Sequence, residues 1–142
     1  MKTVYEFAQR FVGEVVEIPG EQHAPFIQWC FECCGYGPET PDEVPWCSAF
    51  VNRIAWLLRL PRSKSAAARS WLEVGVPVAL DAAQVGDVVV LWRGDPTSES
   101  GHVGLYAGHD KTSVQILGGN QSNGVSVAPY PLDRVLGVRR LA

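Results

Sequence analysis

"GDVVVLWRGDPTSESGHVGLYAGHDKTSVQILGGNQSNGVSV", Gly86–Val127, decides the fold. Its apolar residues come in short alternating bursts, each closed by a turn signal such as "GHDK" at Gly108–Lys111 or "GGNQSNG" at Gly118–Gly124. Side chains alternating with a period of two between Gly- and Asn-rich breaks are the pattern of strands. The spacing predicts strands at Asp87–Trp92, His102–Ala107, Ser113–Leu117 and Gly124–Pro129, and a further one at Arg134–Leu141, wound as an antiparallel meander. Upstream of about residue 80 the period changes to that of helices. Val4, Phe7, Ala8, Phe11, Val12 and Val15 form one stripe of a helix over Val4–Val16, stopped by Pro19 and Gly20. A second helix starts at Pro25 and ends at Gly35; a third runs from Cys47 to Leu60, stopped by Pro61; a short fourth covers Ser65–Val74 and carries Trp71 and Leu72. Helices followed by an antiparallel sheet define an α+β domain, here of five to six strands.

The chain of 142 residues is one domain by length, residues 1–142, and is long enough to bury a core. Apolar residues make up 46% and charged ones 19%, the balance of a folded protein. A formal charge of −3, and no basic cluster interleaved with aromatics, argue against nucleic acid. Glu6, Gln9, Arg10, Glu14 and Glu17 interrupt the N-terminus, so it holds no apolar run of signal-peptide length and synthesis in the cytoplasm is expected. No stretch approaches about 18 uninterrupted apolar residues, so none is expected to cross a membrane.

All four cysteines fall in "WCFECCGYGPETPDEVPWC", Trp29–Cys47. Cys30, Cys33 and Cys34 sit on one side of the second helix, where free thiols fill apolar positions. The C-x2-C-C spacing lacks the second ligand pair that structural zinc takes from another segment, and reduced thiols are the rule in the cytosol. His23, in the loop before this helix, completes no familiar zinc spacing. Cys47 differs. It opens the third helix behind Pro45, where backbone N–H groups and the helix dipole favour a thiolate, the nucleophilic form of cysteine. A small residue at a helix start is the plainer alternative.

A cysteine nucleophile requires a base, usually histidine, and the base requires an orienting group. His109 lies at a hairpin tip. His102 begins a strand, sharing a face with Gly104 and Tyr106 while Val103, Leu105 and Ala107 point to the core; the glycine is expected to leave room for a substrate. The next strand ends in Gly118-Gly119-Asn120, and an Asn there can accept from the imidazole N–H, although "GGN" alone reads as a turn. Trp29, Trp56, Trp71 and Trp92 are expected in the core, and Asp87 as the cap of the "VGD" turn.

Taken in order, "VPWCSAFVNRI" (Val44–Ile54), "AAARSWLEVG" (Ala66–Gly75), "VGDVVVL" (Val85–Leu91), "GHVGLYAG" (Gly101–Gly108) and "LGGNQSNGVSV" (Leu117–Val127) resemble the peptidoglycan hydrolases of the NlpC/CHAP superfamily. These are cysteine, histidine-dependent amidohydrolases and peptidases with a papain-like core, and the small single-domain members typical of phage endolysins and prophage genes are the most similar subgroup. The resemblance covers nearly the whole chain, most tightly Asp42 to Asn120. It implies a papain-like fold with N-terminal helices packed on the sheet, Cys47 as nucleophile, His102 as base and Asn120 as orienting residue. Some relatives place a Glu two residues before that Asn; Gly118 stands there in this chain, and Gln121 is the other candidate. Relatives that bind calcium near the nucleophile use a spaced run of Asp, whereas "PDEVPWC" offers only Asp42 and Glu43, so neither metal nor cofactor is expected. Glu43 is a candidate to receive a substrate ammonium, and Trp46 to serve either as a substrate contact or in packing. The expected partner is peptidoglycan, cut by a monomer that reaches the cell wall through a holin or a secretion system. An antibacterial effector or acyltransferase acting on another amide, and a non-catalytic wall-binding module, are the alternatives.

Overall fold

The computed structural model describes residues 2–14, 25–36, 45–122 and 124–142. The stop at Pro19-Gly20, the end of the first predicted helix, His23, Asp42 and Glu43 lie outside the described residues. Three helices, α1 (Lys2–Gln9), α2 (Pro25–Glu32) and α3 (Cys47–Leu57), precede six strands, β1 (Val76–Val78), β2 (Val88–Trp92), β3 (Gly101–His109), β4 (Ser113–Gln121), β5 (Gly124–Pro131) and β6 (Val135–Arg140). The protein is α+β.

Each helix ends sooner than its apolar stripe, for local reasons. After Gln9 the chain turns, and Gly13, at φ +78°, donates its N–H to Val125 in β5 at 3.2 Å, tying the segment to the sheet. Phe11 still packs, its ring 4.6 Å from that of Phe26. α3 stops because Arg59 turns left-handed at φ 58° and the Leu60 N–H reaches back to the Ala55 carbonyl at 2.9 Å, a Schellman closure that places Pro61 beyond the helix. The predicted fourth helix is a 3₁₀ turn at Ala68–Glu73, which buries Trp71 and lets its Nε1–H donate to Ser48 Oγ at 2.9 Å.

The strand order is β1-β6-β2-β3-β4-β5, with every neighbouring pair antiparallel. The meander therefore covers only β2 to β5, and β6 returns to lie between β1 and β2. The edge strand β1 was not predicted: it is three residues long and contains Pro77, too short to show a period. Chain length dictates the curvature of this sheet. From β6 to β5 the order crosses β2, β3 and β4, roughly 19 Å in a flat sheet at about 4.8 Å per strand. Yet Pro131 and Val135 are joined by the short turn Leu132–Arg134, which can span at most about 14 Å. The sheet must curl.

Both faces are consequently buried. Inside the curl lie Val89, Leu91, Tyr106, Val114, Ile116 and Val138, closed off by Tyr130, Leu132 and Val135. On the other face Val88, Val90, Val103, Leu105 and Leu117 meet Phe50 and Ile54 of α3, and Trp71. The face carrying His102 is not open, as its sequence suggested. Gly104 serves strand packing there, since a Cβ at that position would stand 2.8 Å from the Leu117 carbonyl oxygen. Asp87 caps its turn as expected, accepting from the Gln84 N–H at 2.8 Å, and also pairs with both Nε and Nη2 of Arg140 at 3.0 and 2.8 Å. Trp56, expected in the core, is 47% exposed; with Trp29 it flanks the guanidinium of Arg53, whose Nη2 donates to the Trp29 carbonyl.

Candidate active site

Cys47 is the first residue of α3, behind Trp46 at φ −123°. The N–H groups at the helix start and that of Val103 in β3 act on its thiol and favour the thiolate. Val103 has an N–H to offer because the pairing of β3 with β4 begins only at Leu105 and Leu117, so the two strands part beyond that point. α3 enters the opening. Trp46 is fully buried and fills the space left by Gly119, where a Cβ would stand 2.7 Å from its Cε3. Trp46 is therefore a wedge that seats the helix and presents no surface to a substrate, which corrects one of its two expected roles.

The residue before Val103 is His102, 1% exposed on the inner face of the curl. Its Nε2 lies 2.7 Å from Oε1 of Gln121. Three contacts fix which end of that amide faces the ring. The Gln121 Nε2 lies 3.2 Å from the Ile116 carbonyl and 2.8 Å from the Ser126 carbonyl, and carbonyls only accept, so this end is the NH₂. The Tyr130 hydroxyl donates to Oε1 at 3.1 Å. An oxygen facing Nε2 requires the imidazole proton to be on Nε2, which leaves the Nδ1 lone pair bare. Arg93 Nη2, which can only donate, lies 3.4 Å from that Nδ1. Two backbone carbonyls thus set the tautomer of His102, through Gln121.

Asn120 does not take this part. It occupies the irregularity in the β4–β5 register between Gly118 and Gln121, at a left-handed φ of 60°. The ring nitrogens of His102 find Gln121 and Arg93 as their partners among the described residues. Gly118 explains the difference: a Cβ there would stand 2.9 Å from Gln121 Oε1 and 3.5 Å from His102 Nε2. Gly118 keeps clear the space that the Gln121 amide enters from the irregular end of the strand. Arg93 and Tyr130, whose ring lies 5.0 Å from that of His102, were not anticipated. Arg93 was legible in principle, since it continues β2 opposite the start of the strand that carries His102. Tyr130 was not, because only the curl of the sheet brings β5 to it.

The thiolate expected at Cys47 is not the resting form. Burial pushes the thiol upward and outweighs the Val103 N–H, Arg93 and the helix-start N–H groups, all of which pull it down. Burial likewise raises Cys30, Cys33 and Cys34, the last to about 11. His102 is lowered to about 4, first by burial and further by Arg93, against the hydrogen bond it donates to Gln121, which raises it. The pair rests as thiol and neutral imidazole. Among the described residues no group of three His, Cys, Asp or Glu side chains is arranged to hold a metal ion.

A lowered histidine makes stability depend on pH with a definite sign. Below about 6.5 the unfolded chain takes up a proton on His102 that the folded chain refuses until about 4, so stability falls across this window as pH drops and is fully present above it. The expected loss is up to about 3 kcal/mol. His102→Gln should flatten this limb in urea titrations run from pH 7 to 4; a limb of unchanged slope would show that the site does not hold the imidazole neutral.

No protein-family profile matches this chain, and no curated protein does.

Proposed function

We propose that this protein is a papain-like cysteine hydrolase that cuts an amide bond of peptidoglycan, either within the stem peptide or at its lactoyl link. Two observations support this reading together: the Gln121 amide, locked by backbone carbonyls, holds the Nε2–H of His102 and leaves Nδ1 as a base, and the Val103 N–H, from the residue after His102, acts on a buried thiol at a helix start. A helix bearing the thiol against a curled sheet bearing the histidine and its amide is also the layout of papain-like enzymes. Murein as substrate rests on the five ordered sequence motifs.

In this mechanism Nδ1 of His102 takes the Cys47 proton as sulfur attacks the carbonyl carbon, so charge separation arises only with substrate bound. The Cys47 backbone N–H stabilises the resulting oxyanion, a donor of a kind typically worth roughly 2.7–4 kcal/mol. The imidazolium then gives its proton to the departing amine, and water activated by the regenerated imidazole hydrolyses the thioester. Because the resting pair is neutral, Gln121 matters most when the imidazolium forms, when its oxygen faces a full positive charge.

Purified protein incubated with isolated murein should release new amino termini with no new reducing sugar ends. Reducing ends instead, or release of neither, would contradict the proposal.

A further inference from the structure

Arg93 acts electrostatically on both Cys47 and His102, and its surroundings are unlike those of Arg69 and Arg140. It follows the last residue of β2 and is half-buried. Its backbone is pinned at both ends: the N–H lies 3.3 Å from the Ser100 carbonyl, and its own carbonyl accepts from Ser98 Oγ at 2.6 Å. The backbone is thus held, and from it the guanidinium comes within 3.4 Å of His102 Nδ1. Arg69, nearby, gives its donors to the carbonyls of Ser100, Pro96 and Asp95, and Arg140 is paired with Asp87. Among the described residues, the Arg93 side chain meets His102 Nδ1 and the Tyr130 hydroxyl. The ion pairs among the described residues are Arg53–Glu32 and Arg140–Asp87, neither of which involves it. A guanidinium carries five donors in a planar fork that matches a carboxylate. In a site already crowded with apolar groups, a cation with no counter-anion among the described residues is a receptor for one.

We infer that Arg93 binds a carboxylate of the substrate next to the amide that Cys47 attacks, making it the specificity-determining residue of the site; this rests on Cys47 and His102 being the reacting pair. The inference also accounts for the contact with Nδ1. That lone pair must be free to take the thiol proton, and a bound carboxylate draws the guanidinium off it. The substrate class is then an acidic peptide, with a free carboxylate preferred over its carboxamide at that position.

The test uses two alkylating reagents of nearly the same shape, iodoacetate and iodoacetamide, with the rate at Cys47 followed by peptide mass mapping. The ratio of the two rates cancels the thiolate fraction and any opening needed to reach the buried sulfur, leaving the preference for a carboxylate. Arg93→Gln should lower the iodoacetate-to-iodoacetamide ratio about tenfold relative to the unaltered protein, and Arg93→Lys, which keeps the charge but not the fork, should fall between. A ratio that stays within twofold in both variants overturns the inference, whatever happens with murein. In parallel, the unaltered protein should cut murein peptides bearing the free carboxylate at least tenfold faster than the amidated ones. Equal cleavage of both refutes the carboxylate site and leaves the hydrolase reading standing. A lowered ratio with no cleavage of any murein leaves the site standing and refutes the hydrolase reading.

Discussion

Gln121→Leu should lower turnover on murein by roughly 10²–10⁴ with little change in KM, because leucine keeps the bulk but removes the acceptor that holds the Nε2–H of His102. The imidazole is then free to take the other tautomer, in which Nδ1 carries the proton and cannot act as base. Gln121→Glu should also be poor. A carboxylate can still accept from the ring and from Tyr130, but its second oxygen would face the carbonyls of Ile116 and Ser126, acceptor against acceptor. Asn120→Gly should stay close to the parent, since a glycine is at ease at φ 60° and no ring nitrogen of His102 relies on Asn120. Kinetics and melting temperatures on these variants assign the orienting role. A silent Gln121→Leu beside an impaired Asn120→Gly would return it to Asn120.

Cys47→Ala should abolish hydrolysis. His102 then has no sulfur to deprotonate, and any residual rate reflects binding alone, roughly 10⁴-fold or more below the parent. Folding should survive: the alanine loses one buried acceptor for the Val103 N–H, a cost of about 1 kcal/mol. Cys47→Ser is the sharper control. Its hydroxyl can still accept from Val103, so the melting temperature should match the parent, while the far weaker acidity of an alcohol should keep turnover down. Equal losses of stability and activity in both variants would make Cys47 a packing residue at a helix start.

Periodicity and turn residues were enough to read three helices, the five longer strands and the α+β class in the sequence, because those elements are held by local pattern. The sequence did not show the return of β6 to β2. Its strand pattern is the same wherever it pairs, and only the short Leu132–Arg134 link forces the curl. The same blindness affected the site. Cys47 at a helix start and His102 at a strand start could be picked out by position, but whether Asn120 or Gln121 meets the imidazole depends on a register irregularity between Gly118 and Gln121. Alternation cannot count through such an irregularity. Tyr130 reaches the histidine across the curl, which no window of sequence contains. Burial was misjudged for a related reason. The helix start does supply N–H groups to Cys47, but the sheet closes around the thiol and raises it, and that second effect exists only in the assembled fold.

The most direct test is the mass of the protein itself during turnover. Acid quenching of the parent protein within its first cycles on a murein peptide, followed by intact-mass measurement and peptide mapping, should find an acyl adduct on Cys47 that builds up before product and is absent from Cys47→Ala. An adduct on another residue, or undiminished release of product by Cys47→Ala, would contradict the account.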